Sequence, residues 1–309
     1  MQHIKLGTRG SRLALWQAQY TVDCLKRACP DTSIETVIIK TKGDKILDVP
    51  LSRIGDKGLF TSEIETELLD GKIDMAVHSL KDLPSQLAPG VCLAAVLKRE
   101  DPRDVLLSVK GYRLAGLPPQ AILGTSSLRR IAQLKSVRPD VRIVELRGNV
   151  ETRIRKMQEQ NLDGIILAYA GVKRLGFESY VTDFISPDII LPAVGQGVIA
   201  IEAREDDLAT RHCLDIVNDM SSYMQISAER AFLKELQGGC QVPIAALGKI
   251  EKDEIILEGL VSSLDGTRVF KSQEKGELAK SSEVGRILAG RLLKQGADAI
   301  LAEIERLGE

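Results

Sequence analysis

Histidine is scarce: only His3, His78 and His212 occur in the chain, too few for a histidine-rich metal centre. The cysteines Cys24, Cys29, Cys92, Cys213 and Cys240 are odd in number and lack paired C-x-x-C spacing, so neither a structural zinc site nor a disulfide framework is expected. Carboxylate sites for a hard cation stay open. An excess of charge of either sign is also lacking, with 42 Lys+Arg against 43 Asp+Glu and a formal net charge of -1. Nothing global therefore draws the protein to nucleic acid or to an anionic membrane, and any anion site must be local. Long apolar runs are missing as well. The chain starts Met1-Gln2-His3-Ile4-Lys5 and meets charged or glycine-containing sequence at once, so no signal peptide or membrane span is expected and a cytoplasmic location is the default.

What is present is an ordinary globular composition, 44% hydrophobic and 28% charged, over 309 residues. That length exceeds what one core usually organises and favours two or three domains. The first third alternates β-rich runs and helical patterns: residues 4–8, a helix over 11–28, a strand over 34–39, a helix over 62–69 and a strand over 73–77. After the charged junction Arg99-Glu100-Asp101-Pro102-Arg103-Asp104 the rhythm restarts, with strands at 121–125, 142–144 and 164–168 and helices from Leu128 and from Val150. From about Ser221 a helix (225–236) leads through Gly238-Gly239 to strands at 242–250, 255–262 and 268–271, with turns at Lys252-Asp253 and Asp265-Gly266, and then to two helices. The pattern reads as two α/β domains followed by a small α+β domain.

Chemistry gathers where strands give way to helices. Gly7-Thr8-Arg9-Gly10-Ser11-Arg12 follows the first strand, and the free N–H groups and positive dipole of a helix start suit a carboxylate that Arg9 and Ser11 could hold. An ordinary cap beside a surface arginine would explain the same letters. Gly124-Thr125-Ser126-Ser127-Leu128-Arg129-Arg130 repeats the arrangement with three hydroxyls and two guanidiniums, and Arg147-Gly148-Asn149 and Arg153 extend the cationic set. Arginine suits bidentate carboxylate recognition. Asp82 stands past the strand end in Val77-His78-Ser79-Leu80-Lys81-Asp82-Leu83-Pro84, where a turn ion pair with Lys81 is the plain alternative; His78, between Val77 and apolar Leu80, reads mainly as packing, with a proton role held open. Cys240 lies in a helix-to-strand link after two glycines, with no histidine nearby to form a protease pair.

Two motifs fail on context. Gly195-Gln196-Gly197-Val198-Ile199-Ala200 fits a dinucleotide fingerprint, but strand-like Ile201-Glu202-Ala203 follows where a helix is required. The segment from Thr41 to Phe60 has no G-K-[ST] and reads as a long lid rather than a phosphate loop.

Taken in order, Thr8-Arg9-Gly10-Ser11, Leu13 to Ala18, Gly58-Leu59-Phe60, Val77 to Pro84, Arg99 to Asp104, Gly124 to Arg130, Leu146 to Val150, Leu191-Pro192-Ala193-Val194-Gly195-Gln196-Gly197 and Gly238-Gly239-Cys240-Gln241-Val242-Pro243 resemble the motif set of the hydroxymethylbilane synthases, or porphobilinogen deaminases, over nearly the whole chain. The resemblance implies two periplasmic-binding-protein-like α/β lobes around a cleft plus a small C-terminal α+β domain: residues 1–97 with 198–215, residues 101–191, and residues 220–309. It implies a monomer that condenses four porphobilinogen molecules head to tail, releasing ammonia each time, onto a dipyrromethane cofactor held by a thioether to Cys240. Asp82 takes the catalytic place, stabilising positive charge as ammonia leaves and an azafulvene forms. Arg9, Ser11, Ser79, Lys81, Thr125, Ser127, Arg129, Arg130, Arg147 and Arg153 fall at cofactor- or substrate-binding positions, as do Lys57, Phe60, Arg174 and Gln196 by looser matches.

A solute-binding module built of paired α/β lobes with an arginine-lined cleft is the competing class. The expected lack of an export signal, the third domain, and the presence of Asp82 and Cys240 disfavour it.

Overall fold

A computed structural model describes residues 3–45, 58, 61–238 and 242–308. They fall into two compact units: the described residues of Met1–Val49, Asp56–Glu100 and Gly197–Met224, and those of Asp101–Gln196 and Gln225–Glu309.

In the first unit β1 (His3–Thr8) leads into α1 (Arg12–Ala28), followed by β2 (Ser33–Ile38), the single turn α2 (Lys42–Lys45), α3 (Ser62–Leu69), β3 (Met75–Ser79) and β4 (Val91–Val96). The chain returns later as β10 (Ile199–Arg204) and α7 (Leu208–Asp215). The sheet order is β2-β1-β3-β10-β4. β1, β2 and β3 are parallel, whereas β10 runs antiparallel to both neighbours. The inner strands β3 and β10 are buried almost end to end, as strands covered on both faces must be. α1 buries Gln17, Ala18, Thr21, Val22 and Leu25, one stripe at helical spacing, and ends on Lys26 and Arg27, which complement its dipole.

The second unit repeats this plan. Its strands are β5 (Asp104–Leu107), β6 (Ile122–Gly124), β7 (Arg142–Val144), β8 (Gly164–Ala168) and β9 (Val181–Phe184), and its helices are α4 (Leu128–Val137), α5 (Val150–Glu159) and α6 (Tyr169–Arg174). The order β7-β6-β8-β5-β9 matches the first sheet position for position, with β5 as the antiparallel strand. In each sheet, then, the antiparallel strand comes from the chain crossing between units: β5 as it leaves the first, β10 as it returns.

The same unit holds an antiparallel meander of β11 (Ile244–Glu251), β12 (Glu254–Ser262) and β13 (Val269–Glu277), together with most of α8 (Met220–Glu235) and with α9 (Ser281–Leu292) and α10 (Asp298–Gly308). Its core centres on Phe232, Leu257, Val261, Leu288 and Leu292. Truncating one such leucine to alanine costs about 2–5 kcal/mol. Gly259 lets the sheet approach that core, since a β-carbon there would meet the Phe232 ring at 2.7 Å.

Two α/β sheets of one design plus a small α+β part agree with the expected fold class. The sequence pattern assigned no element to β4, β5, β9, α6 or α7. It also stopped β13 at Lys271, whereas the strand runs to Glu277 through alternately exposed, charged residues suited to an edge.

Candidate active site

In the first unit the carboxyl ends of β1 and β3 lie side by side, and the start of β10 meets the end of β3 through the Ile199–Ser79 pair. Ser11 caps α1, accepting a hydrogen bond from the Ala14 N–H at 3.3 Å, so the ordinary capping role is realised alongside any ligand role. Gln17, reaching from α1, donates to Ser79 Oγ at 2.8 Å and ties the two elements together. After β3 a single 3-10 turn, Leu80–Asp82, buries Leu80 and carries Asp82 outward. Arg9, Ser11, Gln17, Thr61, His78, Ser79 and Asp82 are among the residues lining one cavity of about 60 Å³. Asp82 is exposed, with neither an ion pair nor a hydrogen bond among the described residues. Lys81, its half-buried neighbour, is not part of the lining.

The second unit gathers its candidates at the matching sheet edge. Thr125 and Ser127 follow β6, Arg147 follows β7, and Asp104 opens β5 opposite Ala168, the last residue of β8. Thr125 is buried and its hydroxyl accepts from the Ser127 N–H at 3.3 Å, while the Ser127 hydroxyl makes no capping bond to α4. Arg129 and Arg130 point inward. Arg129 donates to Asp104 at 2.8 Å and to the Leu191 carbonyl at 2.7 Å; Arg130 donates to Asp104 at 2.7 Å and to the Ile166 carbonyl at 2.9 Å. Gln196 adds a third donor to Asp104 at 2.9 Å. Burial alone would push the Asp104 carboxyl up, but the two guanidiniums and their hydrogen bonds outweigh it and hold the group far below the usual carboxylate range. Burial also lowers Arg129, against the opposing pull of Asp104. Two guanidiniums against one carboxylate leave this interior with one positive charge in excess.

Arg147 donates to Glu145 at 2.8 Å, and Arg153 donates through Nε to the Gly148 carbonyl at 2.8 Å, next to the Asn149 cap of α5. Arg174 sits in the last turn of α6, away from the β8 end at which that helix begins. Lys57, Phe60 and Cys240 lie outside the described residues. The other four cysteines are in no disulfide. Among the described residues no group of three or more His, Cys, Asp or Glu side chains could hold a metal ion, and no helix is long and apolar enough to cross a membrane.

Sequence reasoning missed four neighbours of these candidates. Asp104 was read as part of a charged junction, though the Val105-Leu106-Leu107 run behind it is the sign of a buried strand. Thr61, Glu65 and Glu202 gave no signal, because only the packing of α3 against β3 and β10 brings them to His78. The Gly195–Gly197 stretch is a turn entering β10, as the rejected dinucleotide motif required. Gly197 takes a φ of 91°, and a β-carbon there would meet the Glu100 carbonyl oxygen at 2.4 Å.

Two family models match: the dipyrromethane cofactor binding domain of porphobilinogen deaminase over residues 4–212, and the porphobilinogen deaminase C-terminal domain over residues 223–294. The chain belongs to the porphobilinogen deaminase family. Curated relatives named porphobilinogen deaminase include those of Syntrophomonas wolfei, 58% identical over 99% of this chain and 100% of that protein, and of Carboxydothermus hydrogenoformans, 51% identical over 99% and 98%. Among solved structures, a VFT2 domain of Bordetella pertussis BvgS aligns at TM-score 0.42 and 12% identity over 70% of this chain and 86% of that one. Family membership makes the chain a transferase of the hydroxymethylbilane synthase type with a dipyrromethane cofactor.

Proposed function

We propose that this chain joins four porphobilinogen molecules head to tail, releasing one ammonia at each addition, with Asp82 as its catalytic carboxylate and Cys240 as the thioether anchor of the dipyrromethane. The observation that carries the reading is the cavity at the ends of β1 and β3, where Asp82, unpartnered among the described residues, shares its walls with Arg9, Ser11 and Ser79. A carboxylate facing a small cavity stabilises the positive charge that develops on substrate carbon as the amine departs. Arg9 and the α1 N-terminus supply donors for a substrate carboxylate next to it.

The second unit fits a polyanionic cofactor. Acetate and propionate groups need cationic and N–H donors, and the excess positive charge of the Arg129–Arg130–Asp104 group lies beneath a helix start whose Ser127 hydroxyl is unspent. Thr125, Ser127, Arg147 and Arg153 would hold these carboxylates, with Arg129, Arg130, Arg174 and Gln196 as further binding positions of this unit; Lys81 and, outside the described residues, Lys57 and Phe60 stay proposed binding positions of the first unit. When bound, the dipyrromethane supplies the free pyrrole carbon at which elongation starts. Arg129 and Arg130 act chiefly through their field, because the hydrogen bonds above engage them inside.

The reading keeps three domains, at 1–97 with 198–215, 101–191 and 220–309, supported by three separate sheets. It also keeps a cytoplasmic monomer, and it keeps the lack of a nucleic-acid or membrane partner, this last supported by the near-zero net charge. Intact-protein mass tests the anchor: purified protein should carry a dipyrromethane increment that Cys240→Ser abolishes. An unmodified wild-type mass in active protein contradicts the assignment.

A further inference from the structure

Behind the Asp82 cavity lies a group of buried polar side chains that the reading above leaves unused. His78 on β3 pairs across the sheet with Ala200, so Glu202, two residues further along β10, presents its side chain on the same face, and α3 covers that face. His78 Nε2 comes within 3.1 Å of Glu202 Oε2 but off the N–H direction, so neither atom completes a hydrogen bond. Glu65 and Thr61 arrive from α3 one helical turn apart, the Glu65 N–H bonding the Thr61 carbonyl at 2.8 Å. All four are more than nine-tenths buried: Thr61 is 1%, Glu65 8%, His78 6% and Glu202 0% exposed. Among the described residues Thr61 Oγ1, Glu65 Oε1 and both Glu202 oxygens have no hydrogen-bond partner. Buried acceptors left unmatched cost about 1–3 kcal/mol each, and more when charged, so four in one place call for a donor.

The chemistry of that donor follows from charge and number. Oxygen acceptors dominate, and two carboxyl groups share the cluster with a single imidazole. Burial first, and then the neighbouring Glu202, push the Glu65 carboxyl up, the sign of a site short of positive charge. Thr61 and His78 also line the cavity that Asp82 faces, so the cluster borders the space in which the amine departs. A small cation with several N–H donors satisfies all of this.

We propose that Thr61, Glu65, His78 and Glu202 form an ammonium subsite, which takes the protonated aminomethyl group of the incoming substrate and retains the ammonium it becomes. The proposal rests on the reading that the Asp82 cavity is where condensation occurs. The balance is simple. The C–N bond of the aminomethyl group breaks with its electron pair going to nitrogen, leaving ammonia and a cationic substrate carbon. That carbon forms its new bond to the free α-carbon of the neighbouring pyrrole, which loses its proton, and ammonia takes up one proton to become ammonium. The subsite thus orients the aminomethyl group, retains the ammonium once ammonia has taken up the proton, and favours an aminomethyl over a hydroxymethyl substituent.

The test uses the holoenzyme with ammonium chloride as probe and tetramethylammonium and potassium chlorides at equal ionic strength as controls. Ammonium should raise the thermal midpoint and compete with porphobilinogen, while both controls leave the midpoint and KM unchanged. Glu202→Gln should abolish the ammonium-dependent rise in midpoint and raise KM at least tenfold. Thr61→Val, which removes one uncharged acceptor, should weaken both effects about threefold and carries the test if the buried glutamine prevents folding. A wild-type response shared alike by the three salts overturns the proposal, as does an ammonium response unchanged in both variants. Asp82→Asn separates the two readings: full turnover in that variant removes the catalytic reading of the cavity, whereas lost turnover with an intact ammonium shift leaves both standing.

Discussion

Replacing Asp104 by asparagine removes the only carboxylate among the described residues within hydrogen-bonding distance of two buried guanidiniums, at 2.8 and 2.7 Å, and keeps the volume. Asp104 is wholly buried, and Arg129 and Arg130 are each 5% exposed, so water cannot take over the lost charge. Breaking one partner out of a buried ionic group costs about 3–5 kcal/mol, because the charges left behind stay desolvated. For a unit of this size each kcal/mol moves the midpoint by roughly 2–4 °C, so Asp104→Asn should lower the second unit's transition by about 6–20 °C. The assay is calorimetric or circular-dichroism melting over a pH series. The Asp104 carboxyl is depressed in the folded state, so its stabilisation is fully present above the ordinary aspartate value near 3.8 and drains away as pH falls below it. Wild-type stability should therefore fall steeply as pH drops below about 4, and the variant should show a shallower slope there. A variant melting within about 2 °C of wild type, with the same acid slope, would refute the view of this group as the internal prop of the second unit.

Three other outcomes follow from the same structure. Gly197→Ala forces a β-carbon against the Glu100 carbonyl at a positive φ, and should destabilise the first unit by at least about 1–3 kcal/mol in denaturant titration. Ser11→Ala deletes the α1 cap and should cost about 0.5–2 kcal/mol, while raising KM if Ser11 also meets a substrate carboxylate. Arg147→Ala should weaken elongation or cofactor assembly, read as shorter enzyme-bound chains by mass spectrometry, with little change in melting because its described ion pair is to the exposed Glu145.

How much of this was legible beforehand follows the range over which each signal acts. Arg9, Ser11 and Asp82 could be placed because a strand end, a cap residue and a turn are local features, and parallel strands bring such ends to one edge. The hydroxyls of Thr125 and Ser127 were found in the same way. The inward turn of Arg129 and Arg130 was not, since a guanidinium at a helix start reads as solvent- or ligand-facing until a buried carboxylate on a distant strand claims it. Asp104 supplies that carboxylate from β5, some two dozen residues earlier. Glu202 reaches His78 only because β10 returns to the first sheet after the whole second α/β sheet has been built. β13 escaped detection over its second half because an edge strand alternating charge and solvent carries no apolar period. The anchoring role proposed for Cys240 belongs to none of these physical signals and rests on the family resemblance.

The central claim is that catalysis belongs to Asp82 while Cys240 merely holds the growing chain. Its most direct test is hydroxymethylbilane formation by Asp82→Asn, measured on protein whose intact mass shows the dipyrromethane adduct and whose melting matches wild type. The account predicts a full adduct, an unchanged fold and turnover reduced by about 100-fold or more, the usual scale for losing an electrostatic or proton-transfer group. Turnover near the wild-type rate in adduct-bearing Asp82→Asn protein would contradict it.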